Sequence, residues 1–212
     1  MFKTILFDLD GTLIDSSDDI FNGVNYALSK YGQDTLAKAD IMCHVGVGSL
    51  SLIQNILKND DRSMVEDVLV TYLNYYQENA IEKTKLYDGV VEILQIPEKE
   101  FGLITNKPQS IGDKILSGLG VEASFKWKIY GDTYSVLKPD PYALNQIIAE
   151  AGVQKNEVLF IGDSGVDLKF SQNAGVASCL FKSGFGAIEI YPEVRADFEI
   201  SLMNELKNII LD

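Results

Sequence analysis

From residue 101 to residue 200, short apolar runs alternate with single amphipathic stretches, and few folds accommodate that order. Residues 101–105, 127–130, 158–161, 177–181 and 196–200 read as strands, because each run is brief, apolar and bounded by turn residues. Single helices are expected between them. One spans 110–119 and is closed by Gly120; another opens at Asp140-Pro141, with Asp as N-cap and Pro at the first helical position, and ends near Ala151. A third covers 166–174 and stops at Gly175, and a last begins at Leu202. Strands joined through single helices build a parallel sheet with helices on both faces. An earlier run, Ile5-Leu6-Phe7, supplies one more strand, so the expected class is α/β, a doubly wound Rossmann-like sheet.

Between that first strand and the rest, strand signals stop for about 85 residues. Ser16 and Ser17 open a helix with Ile20, Val24, Ala27, Leu28 and Tyr31 at helical spacing, ended by Gly32. A short helical stretch follows at 40–44, then Gly46 and Gly48 break the pattern, and Ser49 opens a helix carrying Leu52, Ile53, Ile56 and Leu57. A fourth helix runs over 62–78, with Val65, Val68, Leu69, Tyr72, Leu73 and Tyr76 on one face. Residues 1–14 and 85–212 are therefore expected to form the α/β core, and 15–84 an inserted all-helical cap.

The net charge of −13 opposes binding to nucleic acid or to anionic membranes, both of which call for basic patches. No stretch has the apolar length of a membrane span, and the first strand begins too early for a signal peptide, so a cytoplasmic protein is expected. Cys43 and Cys179 stand apart and fit neither a metal nor a disulfide pattern, which makes them buried or free thiols.

In an open parallel sheet, ligands bind beyond the carboxyl ends of the strands. The first strand delivers Asp8 and Asp10, with Gly11 allowing the chain to turn; two unpaired carboxylates there repel unless a cation or a shared proton settles them. The strand at 101–105 delivers Thr105 and Asn106, the next precedes Lys138, and the fourth leads into Gly162-Asp163-Ser164-Gly165-Val166-Asp167. Singly, each has a plain structural explanation: Asp163 an N-cap, Thr105 a β-branched strand residue, Lys138 a loop lysine. Together, the four acids and the lysine leave three negative charges, which a phosphate dianion does not approach without a cation such as Mg2+. An all-oxygen ligand set, with His44 the only histidine, points away from zinc.

Asp8-Leu9-Asp10-Gly11-Thr12-Leu13, Thr105-Asn106-Lys107-Pro108, Lys138-Pro139 and Gly162-Asp163-Ser164-Gly165-Val166-Asp167 resemble the four ordered motifs of the haloacid dehalogenase-like hydrolases. The likeness covers essentially the whole chain. Leu86-Tyr87-Asp88-Gly89-Val90, Lys138-Pro139-Asp140-Pro141 and Asn173-Ala174-Gly175-Val176 are similar to its phosphoglycolate phosphatase-like branch. The resemblance implies a phosphatase in which Asp8 is the nucleophile and Asp10 the acid–base partner. It implies Mg2+ held by Asp8, the backbone carbonyl of Asp10 and Asp163, with Asp167 orienting a metal water or Lys138. Thr105, the backbone N–H of Asn106 and Lys138 would bind the phosphoryl group.

The leaving group is expected to be chosen by the cap loop His44-Val45-Gly46-Val47-Gly48-Ser49, the position of the family's specificity loop. No Arg or Lys occurs between Asp40 and Leu57, which disfavours a β-phosphoglucomutase-like phosphotransferase and a Schiff-base phosphonoacetaldehyde hydrolase. A small phosphorylated metabolite remains, with 2-phosphoglycolate first and nucleoside monophosphates, pyrophosphate or sugar phosphates as alternatives. A phospho-receiver domain and a catalytically silent binding relative are the readings from other classes. The segment 96–100, cut short by Pro97, departs from the family pattern and precedes its strand, away from the expected chemistry.

Overall fold

The computed structural model describes residues 1–58 and 61–211. Residues 59 and 60, inside the expected helical insertion, and residue 212 lie outside the described residues. Six strands form one parallel sheet: β1 (Thr4–Phe7), β4 (Glu100–Ile104), β5 (Trp127–Ile129), β6 (Val158–Gly162), β7 (Ala177–Phe181) and β8 (Phe198–Ile200). Their order in space is β5-β4-β1-β6-β7-β8, so the chain winds outward on one side of β1 and returns to continue on the other. This is the doubly wound α/β arrangement, and its reversal point falls at the carboxyl end of β1. Register follows from the central strand, where Phe7 lies opposite Leu103 and Ile161.

Alternation along each strand divides the core in two. Ile5, Phe7, Leu103, Leu159 and Ile161 pack with Ile93 of α5 (Val90–Leu94), Ile111 and Ile115 of α6 (Gln109–Gly118), and Leu206 and Ile210 of α9 (Leu206–Ile210). Leu6, Ile104 and Phe160 face the opposite layer, built on Leu144 and Ile147 of α7 (Tyr142–Ala151) and Phe170 of α8 (Gly165–Ala174). Nearly every strand residue of β1, β4 and β6 is buried, as a sheet covered on both faces requires.

The helical insertion is α1 (Ser17–Lys30), α2 (Lys38–Met42), α3 (Ser49–Leu57) and α4 (Arg62–Asn79), with α1 packed along α4. Two strands were not legible in the sequence. β2 (Ile14–Asp15) and β3 (Lys85–Leu86) pair antiparallel as a two-residue ribbon at the two crossings between insertion and core. Buried Asp19 secures the same place: its carboxylate accepts from Lys83 N at 2.9 Å, Thr84 N at 2.8 Å and Thr84 Oγ1 at 2.7 Å. The helix α5, which opens after Gly89, is likewise absent from the sequence pattern because it spans only five residues.

Two helix starts differ in detail from expectation. The hydroxyl of Ser17 and its N–H donate to Asp15 Oδ1, while Ser16 makes no side-chain cap bond, its hydroxyl being engaged elsewhere. Asp140 accepts from Tyr142 N at 2.9 Å, but the helix begins one residue later than Pro141. The terminal helix is shorter than expected, because residues 203–205 form a 3-10 turn before α9.

Candidate active site

Asp8, Thr105, Lys138, Asp163 and Asp167 come from four separate connections and meet beyond the carboxyl ends of β1, β4, β5 and β6. At their centre is Lys138. Its Nζ donates to Asp8 Oδ1 at 2.7 Å and to Asp167 Oδ1 at 2.6 Å, with all three side chains almost wholly buried. Asp167 is fixed from the other side by Ser164, the N-cap of α8, whose hydroxyl donates to Oδ2 at 2.6 Å. Asp163 does not cap that helix; its Oδ2 accepts from the N–H groups of Phe185 at 2.9 Å and Gly186 at 2.7 Å. Gly11, at φ +81°, runs so close beneath it that a Cβ would lie 1.9 Å from Asp163 Oδ2.

The electrostatics is that of an under-neutralised anionic pocket. Burial, together with Asp167 and against the pull of Lys138, raises the Asp8 carboxyl from 3.8 to about 7. Burial, Asp167 and Asp8 push the Asp163 carboxyl well above the ordinary range. Burial disfavours the charge on Lys138, but Asp167 and Asp8 outweigh it and its pKa rises. One carboxylate oxygen each of Asp8, Asp163 and Asp167 lie within 4.8 Å of one another, and all three residues are buried. Three oxygen donors with excess negative charge suit a hard divalent cation, which removes the repulsion without a proton. The Asp10 carboxylate stands outside that cluster.

Asp10 belongs to a second network that the sequence reading did not anticipate. Its Oδ1 accepts from Ser16 Oγ at 2.5 Å, and its Oδ2 lies 3.0 Å from Nζ of Lys107. Lys107 is buried, donates to the hydroxyl of Tyr76 at 2.7 Å, and sits 4.2 Å from the centre of that ring. A lysine just past a strand reads as solvated, so its only sequence signal is adjacency to Thr105-Asn106. Counting it brings the formal charge of the site to −2 rather than −3. Burial lowers the pKa of Lys107, opposed by Asp10.

Asn106 was expected to offer its backbone N–H to a phosphoryl oxygen; its side chain has further work. Oδ1 accepts from Lys138 N at 2.9 Å, and Nδ2 donates to the carbonyls of Gly46 at 2.9 Å and Lys138 at 3.1 Å. Thr105 Oγ1 accepts from Lys107 N at 3.2 Å and lines the same cavity as Asp8 and Asp10. That cavity, of about 40 Å3, is roofed by Ile20, Val45, Leu52, Tyr72 and Tyr76 of the insertion, together with Gly46, Gly48 and Ser49. His44 is not in its lining; it faces a separate groove with Cys43, Val47 and Ile190. Cys43 is exposed and Cys179 buried, both as free thiols. Among the described residues no helix is long and apolar enough to cross a membrane.

A doubly wound sheet with a helical insertion after β1, and a buried lysine between aspartates at the switch point, defines a haloacid dehalogenase-like hydrolase. The chain belongs to that family, whose model matches residues 5–181. Within it the chain is phosphoglycolate phosphatase-like, an enzyme acting on phosphoric monoesters. It is 36% identical over 192 residues to a phosphoglycolate phosphatase of Pseudomonas syringae pv. tomato, covering 86% of this chain and 70% of that protein. It is 32% identical to the phosphoglycolate phosphatase of Colwellia psychrerythraea, covering 96% of this chain and 95% of that one. The crystal structure of a predicted phosphoglycolate phosphatase from Haemophilus somnus 129PT is similar with a TM-score of 0.91 at 25% identity, covering 98% of this chain and 97% of that chain.

Proposed function

We propose that this enzyme hydrolyses 2-phosphoglycolate to glycolate and phosphate, with Mg2+ and through a phosphorylated Asp8. The observation that carries the reading is the Lys138 ammonium bonded at once to Asp8 and Asp167, with Asp163 alongside, beneath a cavity that Thr105 and Asp10 also line. Such an Asp8 has an ammonium bonded to one of its oxygens, which steadies it as an oxygen nucleophile for phosphorus requires. Asp8 Oδ bonds to phosphorus as the ester P–O bond breaks, and Asp10 delivers a proton to the departing glycolate oxygen. Asp10 then takes a proton from the water that attacks phosphorus, the P–O bond to Asp8 breaks, and phosphate leaves. Thr105 Oγ1, the N–H of Asn106 and Lys138 Nζ hold the phosphoryl oxygens.

Asp8, Asp163 and the carbonyl of Asp10 would hold the metal, and Asp167, which accepts from Lys138, would orient that lysine or a metal-bound water. Bound there, Mg2+ offsets the negative charge of carboxylates and phosphoryl group and so supplies electrostatic stabilisation. Residues 1–14 and 85–212 perform the chemistry, and 15–84 choose the leaving group. A small substrate fits the roof: one water needs roughly 10–15 Å3, so a volume of about 40 Å3 suits a leaving group of a few heavy atoms. Gly46, Gly48 and Ser49 present backbone and hydroxyl groups there for a small carboxylate.

The test is phosphate release from 2-phosphoglycolate, nucleoside monophosphates, pyrophosphate and sugar phosphates, each with Mg2+ and with EDTA. The highest kcat/KM is expected for 2-phosphoglycolate, with turnover lost in EDTA. Tenfold preference for a nucleotide or a hexose phosphate overturns the substrate, and turnover that survives EDTA overturns the metal.

A further inference from the structure

Two neighbouring residues, Asn106 and Lys107, each hold one group of the helical insertion and one group of the catalytic set at the same time. Asn106 Nδ2 reaches the Gly46 carbonyl of the loop before α3, while its amide brackets Lys138 through both the N–H and the carbonyl of that residue. Lys107 Nζ reaches the Tyr76 hydroxyl on α4 at 2.7 Å, while the same atom lies 3.0 Å from Asp10 Oδ2. Both residues are 7% exposed, so water does not substitute freely for either partner. The two contacts with the insertion are made to different elements, one to a loop and one to a helix.

We propose that Asn106 and Lys107 are positioning residues that make the aim of Lys138 and Asp10 conditional on the helical insertion being seated over the site. The proposal rests on the reading of Asp8, Asp10 and Lys138 given above. An amide nitrogen has two donors, and those of Asn106 are committed to one carbonyl on each side of the cleft. Lifting the loop of Gly46 leaves the amide held from the Lys138 side alone, so the backbone that carries Lys138 is no longer fixed against the insertion. Lifting α4 removes Tyr76 from Lys107, whose long stem then has rotamers that leave Asp10. A seated insertion thus orients the acid–base carboxylate from Oδ2, while Ser16 orients it from Oδ1. An open site would hold its acid–base group loosely and turn over poorly even with substrate and metal present, which suppresses attack by stray water before the substrate is enclosed.

The experiment is a double-mutant cycle on Tyr76→Phe and Lys107→Met, with Asn106→Ala measured beside it, in saturating Mg2+ with 2-phosphoglycolate. Lys107→Met is expected to lower kcat roughly 10- to 100-fold, with KM changed less than about threefold, because the lost function is the aim of a general acid and not binding. Tyr76→Phe removes one hydroxyl without a change of shape and is expected to lower kcat by a few fold alone and not at all in the Lys107→Met background. Amide hydrogen exchange is expected to quicken over residues 43–50 in Asn106→Ala and over 72–79 in Lys107→Met. Multiplying effects in the cycle, a change confined to KM, or exchange unchanged in both segments overturns the proposal. If the unmodified enzyme releases phosphate from no compound of the panel, it is the catalytic reading that fails, and the exchange measurement still decides whether the pair clasps the insertion.

Discussion

The floor and the roof of the cavity are made of opposite materials. The floor, from the ends of β1, β4 and β6 and the loop before α7, carries buried charge: Asp8, Asp163 and Asp167 around Lys138, and Asp10 against Lys107. The roof, from α1, α3 and α4, is Ile20, Leu52, Tyr72 and Tyr76, interrupted by Gly46, Gly48 and Ser49. Asp10 is held by Ser16 and Lys107, and Asp167 by Lys138 and Ser164, so small displacements there have large electrostatic consequences. The roof residues pack by shape, and hydrophobic surfaces tolerate volume-conserving change. On the proposed reading, a chain built this way keeps one reaction in its sheet and leaves choice of leaving group to a part whose packing tolerates change.

The sharpest break falls on the floor. Asp8→Asn is expected to lower phosphate release by at least about 10^3-fold, the usual cost of losing a nucleophile, while far-UV circular dichroism stays unchanged. The fold survives because Asn matches the shape of Asp8 and relieves repulsion from Asp167. Near-native release would show that phosphorus is attacked by something other than Asp8. A step down is Asp167→Asn, which leaves the three-acid cluster short of one charge and Lys138 short of one partner. Its Mg2+ requirement is expected to rise by about 10–100-fold, the range for groups that orient metal ligands, with turnover partly restored at high Mg2+. A Mg2+ curve that overlays the unmodified one would remove Asp167 from the metal's surroundings.

Most of the floor was legible in the sequence because its residues follow strands, and strand ends are where an open α/β sheet must place a ligand. Asp8, Thr105, Lys138 and Asp163 each stand within a residue or two of an apolar run or a helix start, and the structure brings all four together. What escaped was what depends on contacts distant in sequence. Lys107 meets Tyr76 across 31 residues and Asn106 meets Gly46 across 60, and neither periodicity nor spacing carries such pairings. Tyr76 was legible as part of one face of a helix, which the structure buries, but the contact of its hydroxyl was not. The ribbon of β2 and β3 escaped for another reason: two residues are too few to show alternation. His44 was grouped with the cavity loop by sequence adjacency, whereas Val45, Gly46 and Gly48 line the cavity and His44 and Val47 a separate groove.

The contrast between floor and roof also has a pH signature. With Asp8 near 7 in the folded metal-free protein and near 3.8 when unfolded, the folded state holds a proton that the unfolded state has released across that interval. Linkage then makes the metal-free protein lose stability as pH rises from about 4 to 7, and Asp163, also raised, acts in the same direction. The expected difference is on the order of a few kcal/mol, or about 10 °C in Tm for a chain of this size. Asp18 and Glu157, both lowered by lysine contacts, oppose the trend, but as surface ion pairs they count for little. EDTA-treated protein is therefore expected to melt higher at pH 5 than at pH 8, with Mg2+ raising Tm more at pH 8. Asp8→Asn should flatten the profile, and a roof substitution should leave its slope alone. A profile that rises toward pH 8 without metal would contradict the charge balance described for the floor.

The smallest effects belong to the roof. Ser49 opens α3 at the cavity and offers the substrate's carboxylate a hydroxyl worth about 1.5 kcal/mol. Ser49→Ala is expected to raise KM for 2-phosphoglycolate by about tenfold and to leave kcat within twofold, because a contact made equally in the bound substrate and the transition state changes only binding. Leu52→Ala enlarges the same roof by removing a buried side chain, and the added room should admit leaving groups larger than glycolate. The ratio of kcat/KM for a hexose phosphate to that for 2-phosphoglycolate is expected to climb, with the Mg2+ dependence of both unchanged. Were Ser49→Ala to lower kcat with KM constant, the hydroxyl would be acting on the reacting phosphorus, and the boundary between a floor that reacts and a roof that selects would run through α3 instead of above it.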